Sequence, residues 1–152
     1  MSSERLWSPA FINYGVSSGI FYMTQYVLVA ALPIILTAEL GGTALDAGLA
    51  MTYFQIGTIL CRPFAGRLID GLDKRIILLI SSVLFFIIMG LFNLTTSLQT
   101  IFVLRGIHGA IFALGTTVMA ALAVVVLPAS RKGEGINMFA VFSNIAMVLG
   151  PA

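Results

Sequence analysis

The chain has 152 residues, of which 59% are hydrophobic and only 9% are charged, and its formal net charge at pH 7 is +2. Soluble domains are about one quarter charged, so this chain cannot cover a water-facing surface and is expected to be solvated by lipid. The single cysteine, Cys61, excludes a disulfide within the chain, and the single histidine, His108, excludes a His/Cys metal cluster.

The hydrophobic pattern predicts five membrane-spanning helices, because a bilayer core about 30 Å thick needs about 20 apolar residues in a helix. We place these spans at residues 11–36, 47–65, 76–95, 101–127 and 134–152. Short connections join them, and no soluble domain interrupts them. The predicted fold class is therefore all-α, a polytopic membrane helix bundle in which residues 1–152 form one domain.

The first span carries a stripe of polar side chains. Ser18, Tyr22 and Gln25 recur at helical spacing, and hydroxyl or amide groups that face lipid are unfavourable. These side chains are expected to face protein or a water-filled cavity, where they are candidates for substrate contact. An equally open interpretation is that they form interhelical hydrogen bonds, each worth about 0.6 kcal/mol. A looser stripe of the same kind lies on the second span, at Thr52, Gln55 and Arg62.

The connection between the second and third spans, residues 66–75, is where charge is densest. Every Lys and Arg except Arg105 lies in the leading segment, in this connection with its flank, or in the fourth connection. Because basic residues stay on the cytoplasmic side during insertion, we expect a cell-membrane protein with a cytoplasmic N-terminus. Acidic residues contribute little to orientation, so Asp70 and Asp73 need another explanation.

Five residues of this connection resemble the loop signature of major facilitator superfamily transporters: Gly66, Leu68, Asp70, Lys74 and Arg75. The lead-in, residues 62–66, is similar to that of many bacterial efflux members. The resemblance implies a cytoplasmic gate in which Asp70 faces a helix N-terminus in the second half of the transporter, with Lys74 and Arg75 as its charge partners. A carboxylate is favoured at that end of a helix dipole.

Two positions of this loop depart from the family's pattern. Gly71 stands where a basic residue is usual, and Asp73 stands where a glycine is usual. One cationic partner is therefore missing, and the loop geometry is expected to differ. The alternative interpretation is a solvated turn whose charges only set the topology.

The fourth span contains Arg105, although an arginine at a helix centre costs about 2.5–3.5 kcal/mol on the insertion scale. The family's fourth span is similar, with an arginine followed four residues later by glycine, as in Arg105 and Gly109. The resemblance implies a role for this arginine in proton coupling, and the alternative is that its side chain snorkels to the outer interface. Gly106 and Gly109 are small enough to let another helix approach closely. On the same flank, His108 is most simply a packed, neutral histidine bonded to a backbone group or hydroxyl.

The last residues, 146–152, resemble the fifth-span signature of antiporters. In that signature a small residue stands four positions before a Gly-Pro pair, as Ala146, Gly150 and Pro151 do here. The family continues with two more glycines that this sequence does not include. The match moves the expectation from a transporter in general towards an exporter.

Together these matches imply the first half of a proton-coupled exporter of small organic molecules. Its expected partners are the lipid bilayer, a small-molecule substrate, protons, and either a missing C-terminal half or a second copy. No nucleophile–base pair, carboxylate dyad, metal set or phosphate loop appears, so we expect no enzyme activity, catalytic residue, metal or cofactor. A net charge of +2 gives no argument for nucleic acid. The alternative is a non-transporting membrane remnant or an assembly partner of a transporter.

Overall fold

The computed structural model describes residues 5–152, and these residues contain no β-strand. Five long helices follow one another: α1 (Pro9–Ala38), α2 (Ala44–Gly71), α3 (Lys74–Phe92), α4 (Leu98–Val125) and α5 (Lys132–Leu149). A short 3₁₀ helix, Ala129–Arg131, precedes α5. The predicted all-α class is confirmed.

Helices α1 to α4 are each long and apolar enough to cross a membrane, with mean hydropathies between 1.2 and 2.5. Helix α5 has 18 residues and completes the bundle. The helices differ from the predicted spans mainly at their ends: α2 begins at Ala44 rather than at 47, and α3 ends at Phe92 rather than at 95. The bundle is that of a multi-pass membrane protein.

Side-chain caps explain where α2 and α3 begin. Thr43 and Asp46 form a capping box, in which the Asp46 carboxylate accepts from the Thr43 backbone N–H over 2.7 Å. The Asp73 carboxylate caps α3 by accepting from the Arg75 backbone N–H over 2.7 Å. Asp73 therefore starts a helix at the loop position where the family usually has glycine.

Helix α4 is the centre of the bundle and packs against each of the other four long helices. Its buried residues join a hydrophobic core of four phenylalanines and one methionine: Phe21, Phe54, Phe85, Phe112 and Met119. Helix α3 buries Phe85 in this core. Its other face points away from the bundle, and Phe86 on that face is 80% exposed and available to lipid.

Glycines allow α2 and α4 to cross at backbone contact. A Cβ atom added to Gly109 would overlap the Phe54 carbonyl, and one added to Gly57 would overlap the Gly106 carbonyl. The Thr58 hydroxyl, which lies within hydrogen-bonding distance of the Phe54 carbonyl, also lies 3.2 Å from the Gly109 carbonyl oxygen of α4. This close crossing brings the side chain of Arg105 next to the α2 backbone.

Candidate functional site

Arg105 is fully buried in the bundle, with 0% of its surface exposed. Its Nη1 donates to the Gln25 side-chain oxygen on α1 over 3.1 Å, and its Nε donates to the Ala50 carbonyl on α2 over 3.4 Å. The guanidinium carbon also lies 4.5 Å from the centre of the Phe54 ring. One cation on α4 therefore contacts both α1 and α2.

The interpretation that Arg105 snorkels to the outer interface is wrong. A snorkelling side chain keeps its charged head in water. Here the head finds its partners inside the bundle, in two oxygen acceptors and an aromatic face, and these replace water.

The charge of Arg105 is not neutralised by an acid within residues 5–152, where no carboxylate oxygen lies within 4.0 Å of its guanidinium. An ion pair does occur at the start of α5, where Arg131 and Glu134 approach to 2.7 Å. A buried cation that has only neutral partners is costly. Such an arrangement is typical of a functional position in a membrane protein.

His108 lies beside Arg105, with its Nδ1 3.2 Å from Arg105 Nη1. A guanidinium can only donate, so Nδ1 accepts, and the neutral imidazole carries its proton on Nε2. That Nε2 is buried and has no hydrogen-bond partner among the described residues. The histidine is packed, as expected, but its partner is Arg105 rather than a backbone group or hydroxyl. Four phenylalanine rings surround it, at centre distances from 5.1 to 6.4 Å: Phe54, Phe85, Phe92 and Phe112.

A pocket of about 310 Å³ lies next to this cluster, between α1, α2 and α4. Its lining residues are Tyr22, Gln25, Tyr26, Val29, Met51, Phe54, Gln55, Thr58, Arg62 and Phe112. Three of them, Gln25, Met51 and Phe54, also contact Arg105. The pocket and the buried cation are thus separated by a single layer of side chains, which we call the shared wall (Gln25, Met51 and Phe54).

The structure brings part of each predicted polar stripe to the pocket. Tyr22 and Gln25 of α1 face Gln55 and Arg62 of α2 across it. Ser18 is also buried, with 1% of its surface exposed, but does not line this pocket.

Sequence reasoning did not identify Tyr26, Met51 or Phe54 as site residues. Tyr26 follows Tyr22 by one helical turn, so an extended stripe would have included it. Met51 and Phe54 are apolar, and nothing in their local sequence separates them from ordinary core residues.

The residues of the proposed gate lie at the C-terminal end of α2 and the start of α3, beyond Arg62, the last residue of α2 that lines this pocket. Asp70 is exposed in the last turn of α2, and Gly66 and Leu68 precede it on the same helix. The Lys74 ammonium donates to the Ile69 carbonyl over 3.1 Å, which satisfies a carbonyl at the C-terminal end of α2. Within the described part of the chain, neither Lys74 nor the exposed Arg75 forms an ion pair with Asp70.

The antiporter-type motif places α5 directly against α1. Ala146 is buried, with 3% of its surface exposed. A Cβ atom added to Gly150 would come within 2.6 Å of the Tyr26 Cβ and 3.1 Å of the Met23 carbonyl oxygen. Gly150 therefore backs a residue of the pocket wall, while Pro151 is exposed beyond the end of the helix.

A multi-pass helix bundle with a buried cation beside a pocket has the features of a membrane transporter. The family model described as Major Facilitator Superfamily matches residues 14–152, and the chain belongs to this family. It is 26% identical over 125 residues to the Quinolone resistance protein NorA of Staphylococcus aureus strain MRSA252, covering 82% of this chain and 32% of that protein. It is also 26% identical over 155 residues to the Staphylopine export protein of Staphylococcus aureus strain Mu50, covering 99% of this chain and 37% of that protein. The chain thus spans about a third of the length of these relatives.

Proposed function

We propose that this chain supplies the N-terminal helix bundle of a proton-coupled exporter of small organic molecules. The observation that carries the proposal is the hydrogen bond from Arg105 to Gln25, which links the buried cation to the pocket wall. A ligand that displaces Gln25 alters the surroundings of the cation, and a change at the cation alters the pocket. This reciprocity is what coupling between two sites requires.

The direction of transport rests on the relatives. One is named for quinolone resistance and the other for staphylopine export. Export of a small organic molecule accounts for both names. The same function gives Tyr22 and Gln25 their role as substrate contacts on the N-terminal wall.

In this proposal the proton is carried by a carboxylate in a part of the transporter outside residues 1–152. The acidic residues within α1 to α4 are Asp46 and Asp70, and both lie near an end of α2. Asp46 caps the start of this helix and Asp70 lies in its last turn, so no Asp or Glu lies in the interior of these four helices. Arg105 is the fixed charge that a carboxylate elsewhere in the transporter, or on the substrate, would meet when it is ionised. Loss of that carboxylate's charge on protonation would free it from Arg105.

Asp70 supplies the cytoplasmic latch in this proposal, and the N-terminus lies in the cytoplasm. The exposure of Asp70 at the end of α2 supports this role, since an exposed carboxylate is available to a helix N-terminus in another part of the transporter.

The test uses the full-length reading frame that contains this segment. In everted membrane vesicles, an imposed proton gradient is expected to drive saturable uptake of fluorescent organic compounds. Collapse of the gradient should abolish this uptake, and so should Arg105→Met. Uptake at the same rate with and without the proton gradient would contradict proton coupling. A stop codon directly after Ala152 in the genomic sequence supports the alternative of a non-transporting remnant or assembly partner.

A further inference from the structure

Gln25 presents an unused hydrogen-bond donor to the pocket. The residue is buried, with 8% of its surface exposed, and its side-chain oxygen lies 3.1 Å from Arg105 Nη1. Because a guanidinium has no acceptor, the atom that faces it must be the amide oxygen. The amide nitrogen has no hydrogen-bond partner among residues 5–152 and is not among their enclosed unsatisfied atoms, and because Gln25 lines the pocket we place this nitrogen on the pocket side.

The other polar groups of the pocket also favour an electron-rich ligand. Arg62 is exposed on α2 and lines the pocket with its positive charge. The pocket is lined by no Asp or Glu. Behind the shared wall, Arg105 adds a second positive charge without a carboxylate partner among the described residues. Thr58 contributes little as a donor, because its hydroxyl lies 3.0 Å from the Phe54 carbonyl oxygen.

Between these groups the pocket is aromatic. Tyr22 and Phe112 meet edge to face with their centres 5.1 Å apart, and Phe54 lies 5.4 Å from Phe112. Arg62 is eight residues beyond Phe54 on α2, which corresponds to about 12 Å along the helix at ~1.5 Å per residue. The pocket is therefore elongated, with an aromatic middle, the Arg62 cation towards one end and the Gln25 amide beside Phe54.

We infer that this pocket selects an organic anion with an aromatic body, whose acid group pairs with Arg62 and whose more distant acceptor atom binds the Gln25 amide. The inference rests on the proposed function and names its substrate class. A carboxylate gains a charge-assisted hydrogen bond at Arg62, which an alcohol of the same shape cannot match. An ammonium group of the same shape is repelled by Arg62 and meets no acid in the pocket.

A matched set of fluorescent probes tests this inference by binding alone. The set is 6-methoxy-2-naphthoate, the corresponding naphthylmethanol, the corresponding naphthylmethylammonium, and 2-naphthoate without the methoxy group. Binding is measured to the full-length protein that contains this segment in phosphatidylcholine nanodiscs, and partition into empty nanodiscs is subtracted. The methoxynaphthoate is expected to bind about tenfold more tightly than the alcohol, and the ammonium compound more weakly than either.

Variants of exposed arginines identify the charge that is responsible. Arg62→Gln should remove the advantage of the carboxylate, and Arg62→Glu should reverse the order of the carboxylate and the ammonium. Arg67→Gln is the matched control, because Arg67 is also exposed on α2 but does not line the pocket. Gln25→Leu should lower the affinity for methoxynaphthoate to that for 2-naphthoate.

Equal affinity for the three methoxy probes overturns the inference, and so does a preference for the carboxylate that survives Arg62→Gln. Absence of saturable binding of any probe also overturns it and indicates that another part of the transporter fills the pocket. The proposed function is tested by a different measurement from the binding inference. Vesicles that show no gradient-driven uptake contradict the proposed function, even if the nanodiscs show the expected selectivity of binding.

Discussion

Arg105 on α4 and Gln25 on α1 are separated by 80 positions in the chain, yet their side chains are joined by a hydrogen bond of 3.1 Å. A hydrogen bond from a charged donor contributes about 1.5–3 kcal/mol to the free energy of unfolding when it is satisfied. The same contact fixes the orientation of the Gln25 amide. It therefore determines which atom of that amide is offered to the pocket.

Replacing Arg105 should separate its cost in stability from its role in transport. Arg105→Met loses the hydrogen bond to Gln25 but also removes a buried cation without an acidic partner in residues 5–152, and because desolvation of that charge costs more than the hydrogen bond contributes, unfolding should become less favourable by about 1–2 kcal/mol. Thermal unfolding in detergent measures this change, with Arg105→Lys as a control that keeps a positive charge. A lower midpoint for Arg105→Met than for the parent chain would show that the arginine is needed for folding.

The helix bundle could be predicted from the sequence, because hydropathy and span length report directly on lipid contact. The start of α3 was also within reach, since Asp73 is a preferred N-cap residue before an apolar run. The hydrogen-bond partners of Arg105 could not be predicted from the sequence. They depend on the distance and angle at which α1, α2 and α4 cross, and no local pattern encodes these. The sequence therefore left inward packing and snorkelling open for Arg105, and the burial of its side chain decided between them.

Gly109 should be intolerant of a side chain, because α2 and α4 touch at this point. Gly109→Ala places a methyl group against the Phe54 carbonyl and is expected to destabilise the bundle by about 1–3 kcal/mol. Gly48→Ala is the matched control, since a Cβ atom there meets nothing within 4 Å. In a helix that substitution stabilises by roughly 0.5–1 kcal/mol. Equal unfolding temperatures for the two variants would contradict the close crossing.

The two acids of the loop should respond differently to neutralisation. Asp73→Ala removes the cap of α3 and should lower stability by about 1 kcal/mol. Asp70→Asn touches no helix cap, so stability should remain near that of the parent while transport by the full-length protein falls. Unfolding midpoints and vesicle uptake measure the two effects. Unchanged uptake in Asp70→Asn would leave Asp70 as an ordinary exposed side chain.

Labelling of single cysteines tests the orientation in the membrane. In a Cys61→Ala background, cysteine at Ser97 should react with an impermeant maleimide in intact cells, while cysteine at Gly71 should not. Ser97 is suitable because it makes no side-chain cap hydrogen bond at the start of α4. Both positions should react in permeabilised cells, which shows that each is accessible. Reaction of the Gly71 site in intact cells would reverse the topology and place Asp70 outside the cytoplasm.

The 152-residue chain alone should not transport. Alternating access requires two bundles that rock about a site between them, and this chain spans about a third of its relatives. The open side of the pocket between α1, α2 and α4 then faces no second bundle, and exposed polar groups of its lining, such as Gln55 and Arg62, are costly beside lipid. Weak self-association would reduce this cost, because two copies can bring their polar faces together around an axis normal to the membrane. The result should be weak dimers, or readily degraded protein, without directional flux. Purified chain in liposomes with an imposed proton gradient and a panel of dyes provides the measurement. Saturable, gradient-dependent flux that disappears in Arg105→Ala would show that this segment is sufficient, and the requirement for a second bundle would be wrong.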